Sequence, residues 1–206
     1  MNPQAIIIGY SGHAYVVIDT LLSHLYEIKG YFDVAENKSN PYQLTYLGSE
    51  NDQSNLHLLK DHDIFICIGL NEVRRRIFEN LSSKNIICPS IAHPRSIISS
   101  SVEIMQGSVI MPGAIINAYA KIGNAVICNS AAVIEHECII GDYVHIAPGA
   151  VLAGNVTVGK GSFIGANAVV KQGVKIGENV TIGAGSVVLN DIPNETLVYG
   201  NPVRVK

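Results

Sequence analysis

Stepping through the chain by six residues from Ile98 meets Ile104, Ile110, Ile116, Ile122, Cys128, Ile134, Ile140, Ile146, Leu152, Val158, Ile164, Val170, Ile176, Ile182 and Val188. Every one of these is aliphatic except one cysteine, which packs as a small hydrophobe. The position two residues earlier is always small or branched, from Val102 and Ser108 to Val180 and Ser186. Two registers held over so many repeats leave a chain few options. A six-residue period is that of a parallel β-helix, in which short strands meet at turns and successive coils stack about 4.8 Å apart. Side chains alternate along each short strand, so the two marked positions point inward and the residue between them points outward. Residues 98 to 188, at eighteen per coil, predict roughly five coils with no inserted loop. The glycines of "IGN", "IGD", "VGK", "IGA" and "IGE" are expected to give backbone freedom where the chain turns.

The first 90 or so residues follow a different pattern. "AIIIG", "GYFDV", "LTYLG" and "DIFICIG" read as strands, and "GHAYVVIDTLLSHL" and "NEVRRRIFENL" carry helical periodicity. Alternation of this kind predicts a small α/β domain with a mostly parallel sheet, so the chain divides into a Rossmann-like domain at 1–92 and a β-helix at 93–206. The turn Gly9–His13 follows the first strand, at the carboxyl end where such sheets bind ligands. Gly9-x-x-Gly12 with Asp33 about twenty residues on resembles part of a dinucleotide fingerprint, although the full glycine motif is absent.

Composition narrows the function. The chain has 206 residues, a formal net charge of -3 and 48% hydrophobic residues. That balance predicts a packed core and gives no general attraction to nucleic acid or to an anionic membrane. The one basic cluster, Arg74–Arg76, reads as solvated surface on an exposed helical turn. No apolar run approaches the roughly 20 residues of a membrane-spanning helix, and no cleavable leader is visible. Cys67, Cys88, Cys128 and Cys138 lack CxxC spacing, which fits a reducing, cytoplasmic setting. Cys128 and Cys138 fall on inward positions and make poor nucleophiles.

Polar residues interrupt the aliphatic pattern at "VIEHECIIGDYVH". His145, between inward Val144 and Ile146, is expected to project outward from the middle of a flat face, and His136 to sit at or beside a corner. Taken singly, each would be a surface histidine. A carboxylate beside His136, either Glu135 or Glu137, can fix its tautomer and raise its basicity. The two histidines are half a coil apart, so they would share a pocket most easily if a neighbouring subunit brought its face alongside.

The hexapeptide pattern resembles the left-handed β-helix of the hexapeptide-repeat acyltransferases, commonly trimers; the left hand is implied by that resemblance alone. From "IIIGYSGHA" through "NSAAVIEHECIIGDYVHIAPGAVLAGNVTVG" to "VYGNPVRVK", the whole chain is similar to bacterial sugar acetyltransferases that modify nucleotide-linked amino sugars, a group that includes sialic-acid O-acetyltransferase-type proteins. The resemblance implies a direct transfer from acetyl-CoA with His136 as general base and Glu137 raising its basicity. It implies that His145, Ala166 and Ala184 contact acetyl-CoA, and that Ser11, Gly12, His13, Asp33 and Asn129 contact the acceptor. A homotrimer with active sites between subunits, no metal, no nucleic acid and no membrane insertion complete the expectation. Where the family has a second acid after the aspartate, this chain has Val34. Acetylation of a sugar hydroxyl, as on sialic acid, is the nearest alternative. A metal-dependent hydratase of the carbonic-anhydrase type would need three converging histidines, and this half offers only His136 and His145 after His93.

Overall fold

The computed structural model describes residues 2–205. The N-terminal portion contains β1 (Gln4–Ile8), α1 (Gly12–Ser23), β2 (Glu27–Phe32), α2 (Leu56–Asp61), β3 (Asp63–Ile66) and α3 (Asn71–Ser83). The three strands are parallel in the order β2-β1-β3. Central β1 is buried on both faces, which is why its sequence is an unbroken aliphatic run rather than an alternating one. Ile7 and Ala5 pack with Val17, Ile18 and Leu21 of α1, while Ile6 and Ile8 pack with Ile77, Phe78 and Leu81 of α3. Two differences from expectation are local. "LTYLG" forms only one bridge, Tyr31 to Tyr46, rather than a strand. The short α2, preceded by a 3₁₀ turn that Asp52 caps through Ser54, spans too few residues to show a period.

The remainder is a left-handed β-helix of about six turns. Short strands, nearly all of two residues, stack in parallel into three sheets, one running from Ile91–Ala92 to Leu197–Gly200 with Val203–Val205 added antiparallel at its end, one from Ile97–Ile98 to Val187–Val188, and one from Glu103–Ile104 to Lys175–Ile176. The solenoid exceeds the five coils expected because Ala92, six residues before Ile98, already holds the inward register, and Val198 closes the far end. The interior is the predicted ladder, almost wholly buried from Ile110 to Val198. Its buried serines are internally satisfied. Ser108 Oγ donates to Gly123 O at 2.8 Å and accepts from Val126 N, and Ser162 repeats both bonds three coils further on with Gly177 O and Val180 N. A hydroxyl so paired costs little to bury.

The turns correct one expectation. Left-handed backbone recurs every six residues, at Gly107, Gly113, Tyr119, Ala125, Ala131, Glu137, Tyr143, Gly149, Asn155 and onward. The glycines of "IGN" and its relatives are not among them. A Cβ on Gly141 would lie 2.7 Å from Lys160 N, and one on Gly165 2.5 Å from Ala184 N. Glycine is present there because the next coil leaves no room for a side chain, not because the chain needs an unusual φ.

The three faces differ. Outward residues of the second sheet are Ile97, Ile115, Val133, Val151, Val169 and Val187, all branched aliphatics and all at least partly exposed. The third sheet presents Glu103, Lys121, Ile139, Thr157 and Lys175. The first is covered in its early coils by the α/β domain, whose two apolar clusters absorb Ile91, Val109 and Met111 on one side and Ala125 and Tyr143 on the other.

Candidate active site

His136 sits at the corner between the second and third sheets, half exposed, as the turn Glu135–His136–Glu137 predicts. The two glutamates take different bonds. Glu137 Oε2 is 3.1 Å from His136 Nδ1, whereas Glu135 Oε2 accepts from the His136 backbone N–H at 3.4 Å. Glu137 reaches the ring because it occupies the left-handed corner position, φ 61. With Nδ1–H held by a carboxylate, Nε2 carries the free lone pair. The ring lies over Gly154 of the next coil: a Cβ there would be 2.5 Å from His136 Cε1 and Nε2. His136 O also accepts from Asn155 N at 2.8 Å, tying the corner to the coil above.

His145 points away from the solenoid interior as expected, but it is only 8% exposed, because the α/β domain lies over it. Its Nδ1 is 3.3 Å from Gly69 O and its Nε2 3.0 Å from Asn129 Nδ2. Asn129 Oδ1 is engaged by Ser130 N, so its amide group is the donor to His145, and the imidazole proton lies on Nδ1 toward Gly69 O. Phe163 meets the ring edge to face at 5.1 Å. His13, in the first turn of α1, stands 6.2 Å from His145, and its Nε2 is buried with no hydrogen-bond partner. Burial, aided by the nearby Arg74 guanidinium, lowers both imidazoles to about 4. They are therefore neutral at physiological pH.

Of the arginine run, Arg74 alone departs from the solvated cluster expected. Arg74 is 1% exposed and donates to Ile68 O and Gly69 O of its own domain and to Ala125 O and Tyr143 O of the β-helix, with Asn71 Oδ1 as a further acceptor. Asn71 in turn donates to Gly161 O and Ser162 O. A helical period places Arg74 with Ile77, Phe78 and Leu81 on the buried face of α3, and the guanidinium reaches carbonyls that the solenoid turns leave free.

Two cavities flank the segment 68–70. One, of about 550 Å³, lies between the domains and is lined by Gly69, Leu70, Asn71 and Glu72 opposite His145, Phe163 and Thr181. The other, about 540 Å³, opens at the carboxyl ends of β1 and β3 and includes Ser11, Asp33, Val34, Ile68, Gly69 and Leu70. Both fall in the range of small-molecule sites. Asp33 is already engaged, accepting from Tyr10 N at 3.0 Å and Val34 N at 2.8 Å. Gly12 is exposed at the start of α1, whose N-cap Ser11 makes no side-chain capping bond. Ala166 and Ala184 occupy the corner between the first and second sheets one coil apart, joined by Gly185 N to Ala166 O. All four cysteines are buried, and burial pushes the Cys88 and Cys128 thiols up to about 12. Among the described residues no group of three or more His, Cys, Asp or Glu side chains could hold a metal ion.

The fold thus brings His13, Asn129 and His145 together, and Ser11 with Asp33. It does not bring His136 to them, because within one chain the second sheet separates that corner from the one carrying Ala166 and Ala184. Arg74, Asn71, Phe163 and Gly154 belong to the surroundings of these groups and were not legible as such. Only Gly154 left a trace, as a small residue eighteen positions after His136, one full coil.

A parallel α/β domain feeding a six-turn hexapeptide prism, with histidines on its outer surface, is the architecture of a hexapeptide-repeat transferase. Residues 4–81 match the family model described as PglD N-terminal domain, and 155–190 match bacterial transferase hexapeptide (six repeats). The chain is 34% identical to the acetyltransferase domain of PglB from Neisseria gonorrhoeae over the full length of both, with TM-score 0.91, and 0.90 to the same domain in complex with acetyl coenzyme A. It is 32% identical to a mutant of perosamine N-acetyltransferase from Caulobacter crescentus in complex with CoA and GDP-perosamine, covering 98% of this chain and 96% of that one with TM-score 0.92. Curated proteins gave no match. The chain belongs to the hexapeptide-repeat bacterial sugar acetyltransferases.

Proposed function

We infer that this protein transfers the acetyl group of acetyl-CoA to the amine of a nucleotide-linked sugar, by direct attack with His136 as general base. The observation that carries the reading is the His136–Glu137 pair: an exposed imidazole, floored by Gly154, is anchored at Nδ1 by a carboxylate, so that Nε2 is the nitrogen left to accept a proton. The sugar nitrogen forms a bond to the thioester carbonyl carbon and its proton passes to His136 Nε2. Collapse of the tetrahedral species breaks the C–S bond, and the proton leaves with the CoA sulfur. Glu137 holds the tautomer and stabilises the imidazolium that forms in between. The acetyltransferase relatives, one bound to acetyl coenzyme A and one to CoA with GDP-perosamine, support this class of reaction. No buried cysteine offers a route through an acyl-enzyme.

Site roles follow from the same reading. His145, with Ala166 and Ala184, contacts acetyl-CoA, and Asn129 lies near the acceptor sugar. Ser11, Gly12, His13 and Asp33 belong to a nucleotide-sugar site in the domain 1–92, and 93–206 carries the cofactor and the base. A homotrimer is supported by the second sheet, whose six outward residues are aliphatic, where the third displays lysines and a glutamate. Its two edges carry His136 and the Ala166–Ala184 corner. Packing that face against a second copy brings the base of one chain toward the cofactor groove of another. We place the enzyme in the cytoplasm, supplying an N-acetylated sugar for a surface polysaccharide or glycan; no helix among the described residues is long and apolar enough to cross a membrane.

The test is CoA release from acetyl-CoA with a panel of nucleotide-linked amino sugars. One amino sugar is expected to turn over, and His136→Ala to lower kcat by about 10²- to 10⁴-fold. A variant as fast as wild type removes His136 from the mechanism. Turnover confined to hydroxyl sugars makes the enzyme an O-acetyltransferase.

A further inference from the structure

Three consecutive arginines on α3 have three different surroundings. Arg74 is buried among carbonyls, and Arg75 pairs with Glu79 at 2.8 Å. Arg76 is exposed, makes no ion pair among the described residues, and lines the cavity at the ends of β1 and β3. It is the one cationic residue of that lining, which also holds two acids. Neither acid neutralises it. Both oxygens of Asp33 accept backbone N–H groups, and Glu50, 8% exposed, accepts from Asn51 Nδ2 at 2.8 Å. A guanidinium without a counter-ion, facing a cavity walled by Ile68, Val73 and Ile77, is suited to a dianion that would otherwise be repelled by the two carboxylates.

We propose that Arg76 is the phosphate-binding residue of the acceptor site, its guanidinium holding the diphosphate of the nucleotide-linked sugar at the α3 side of the cavity. This rests on the acceptor being nucleotide-linked, as inferred above. The placement also orients the ligand. The cavity shares Gly69 and Leu70 with the one beneath His145, so a diphosphate held at Arg76 leaves the sugar free to pass that segment toward His145 while the base remains on the Val34 side.

Coenzyme A also carries phosphates, so the test separates the two sources. UDP, GDP, dTDP and CoA are titrated by calorimetry into wild type, Arg76→Gln, Arg76→Lys and Arg75→Gln. At least one nucleoside diphosphate should bind wild type, weaken about tenfold or more in Arg76→Gln, and recover in part with lysine. Its parent nucleoside and CoA should bind all variants alike, and Arg75→Gln should match wild type. Equal diphosphate affinity in Arg76→Gln and wild type overturns the assignment, as does a loss that falls on CoA instead. If wild type binds no diphosphate at all, the nucleotide-linked acceptor itself is wrong, a result separate from the behaviour of the variants.

Discussion

At the scale of residues, the candidate base depends on an absent side chain as much as on a present one. Gly154 has ordinary backbone geometry, so alanine strains nothing locally; it collides only with the His136 ring. Gly154→Ala should therefore leave the unfolding midpoint nearly unchanged while lowering kcat by roughly tenfold or more through a displaced imidazole. Steady-state kinetics beside a thermal melt checks this, and a variant with wild-type kcat would show that ring position is not critical. Glu137→Gln keeps the hydrogen bond but loses the charge. Its kcat should fall less than that of His136→Ala, a ranking the same assay reads.

His13 and His145 make a second prediction, about stability. Both are lowered to about 4 from an unfolded value near 6.5, so between those limits the unfolded chain binds protons that the folded chain refuses. The stability they contribute is complete above pH 6.5 and is lost as pH falls toward 4, on the order of 3 kcal/mol at most for each. Urea unfolding at pH 7.5 and 5.0 should show the decline, and replacing both histidines with glutamine should flatten it. An equal decline in the double variant would assign the pH sensitivity to other groups.

Among elements, α3 is the one whose role changed between sequence and structure. Its periodicity was plain, but a helical wheel treats Arg74 as a charge to be solvated. Only the packed neighbour supplies the carbonyls of Ala125 and Tyr143 that make burial tolerable. Arg74→Met should destabilise the protein by about 3 to 5 kcal/mol, because those carbonyls lose their donors in a buried interface. Chemical denaturation measures that loss; a change under 1 kcal/mol would mean that water replaces the guanidinium. The hexapeptide strands behave oppositely. Each contributes two residues and is unstable alone, yet the ladder was readable because every coil repeats the same inward contacts.

For the whole molecule, the proposed trimer rests on the aliphatic second face. Val151→Asp places a charge in the middle of that face, where burial against another copy would leave it unpaired. Light scattering should show the trimer replaced by monomer and activity lost together, with the circular dichroism of the β-helix retained. A trimeric Val151→Asp would direct the search for the interface to another surface.

The sequence by itself determined the prism, the α/β domain before it, the inward cysteines and the corner position of His136. These rest on periodicity and local turns, which neighbouring residues encode. Glu137 could not be separated from Glu135 by spacing, since both flank the histidine; the left-handed corner decided which carboxylate meets the ring. Likewise the burial of His145, its bond to Gly69 and the clamp at Arg74 depend on how two domains seat against each other. That seating brings together residues from 51 to 91 positions apart. No local pattern carries such a contact, because its free energy arises only when two separately legible surfaces exclude water from between them.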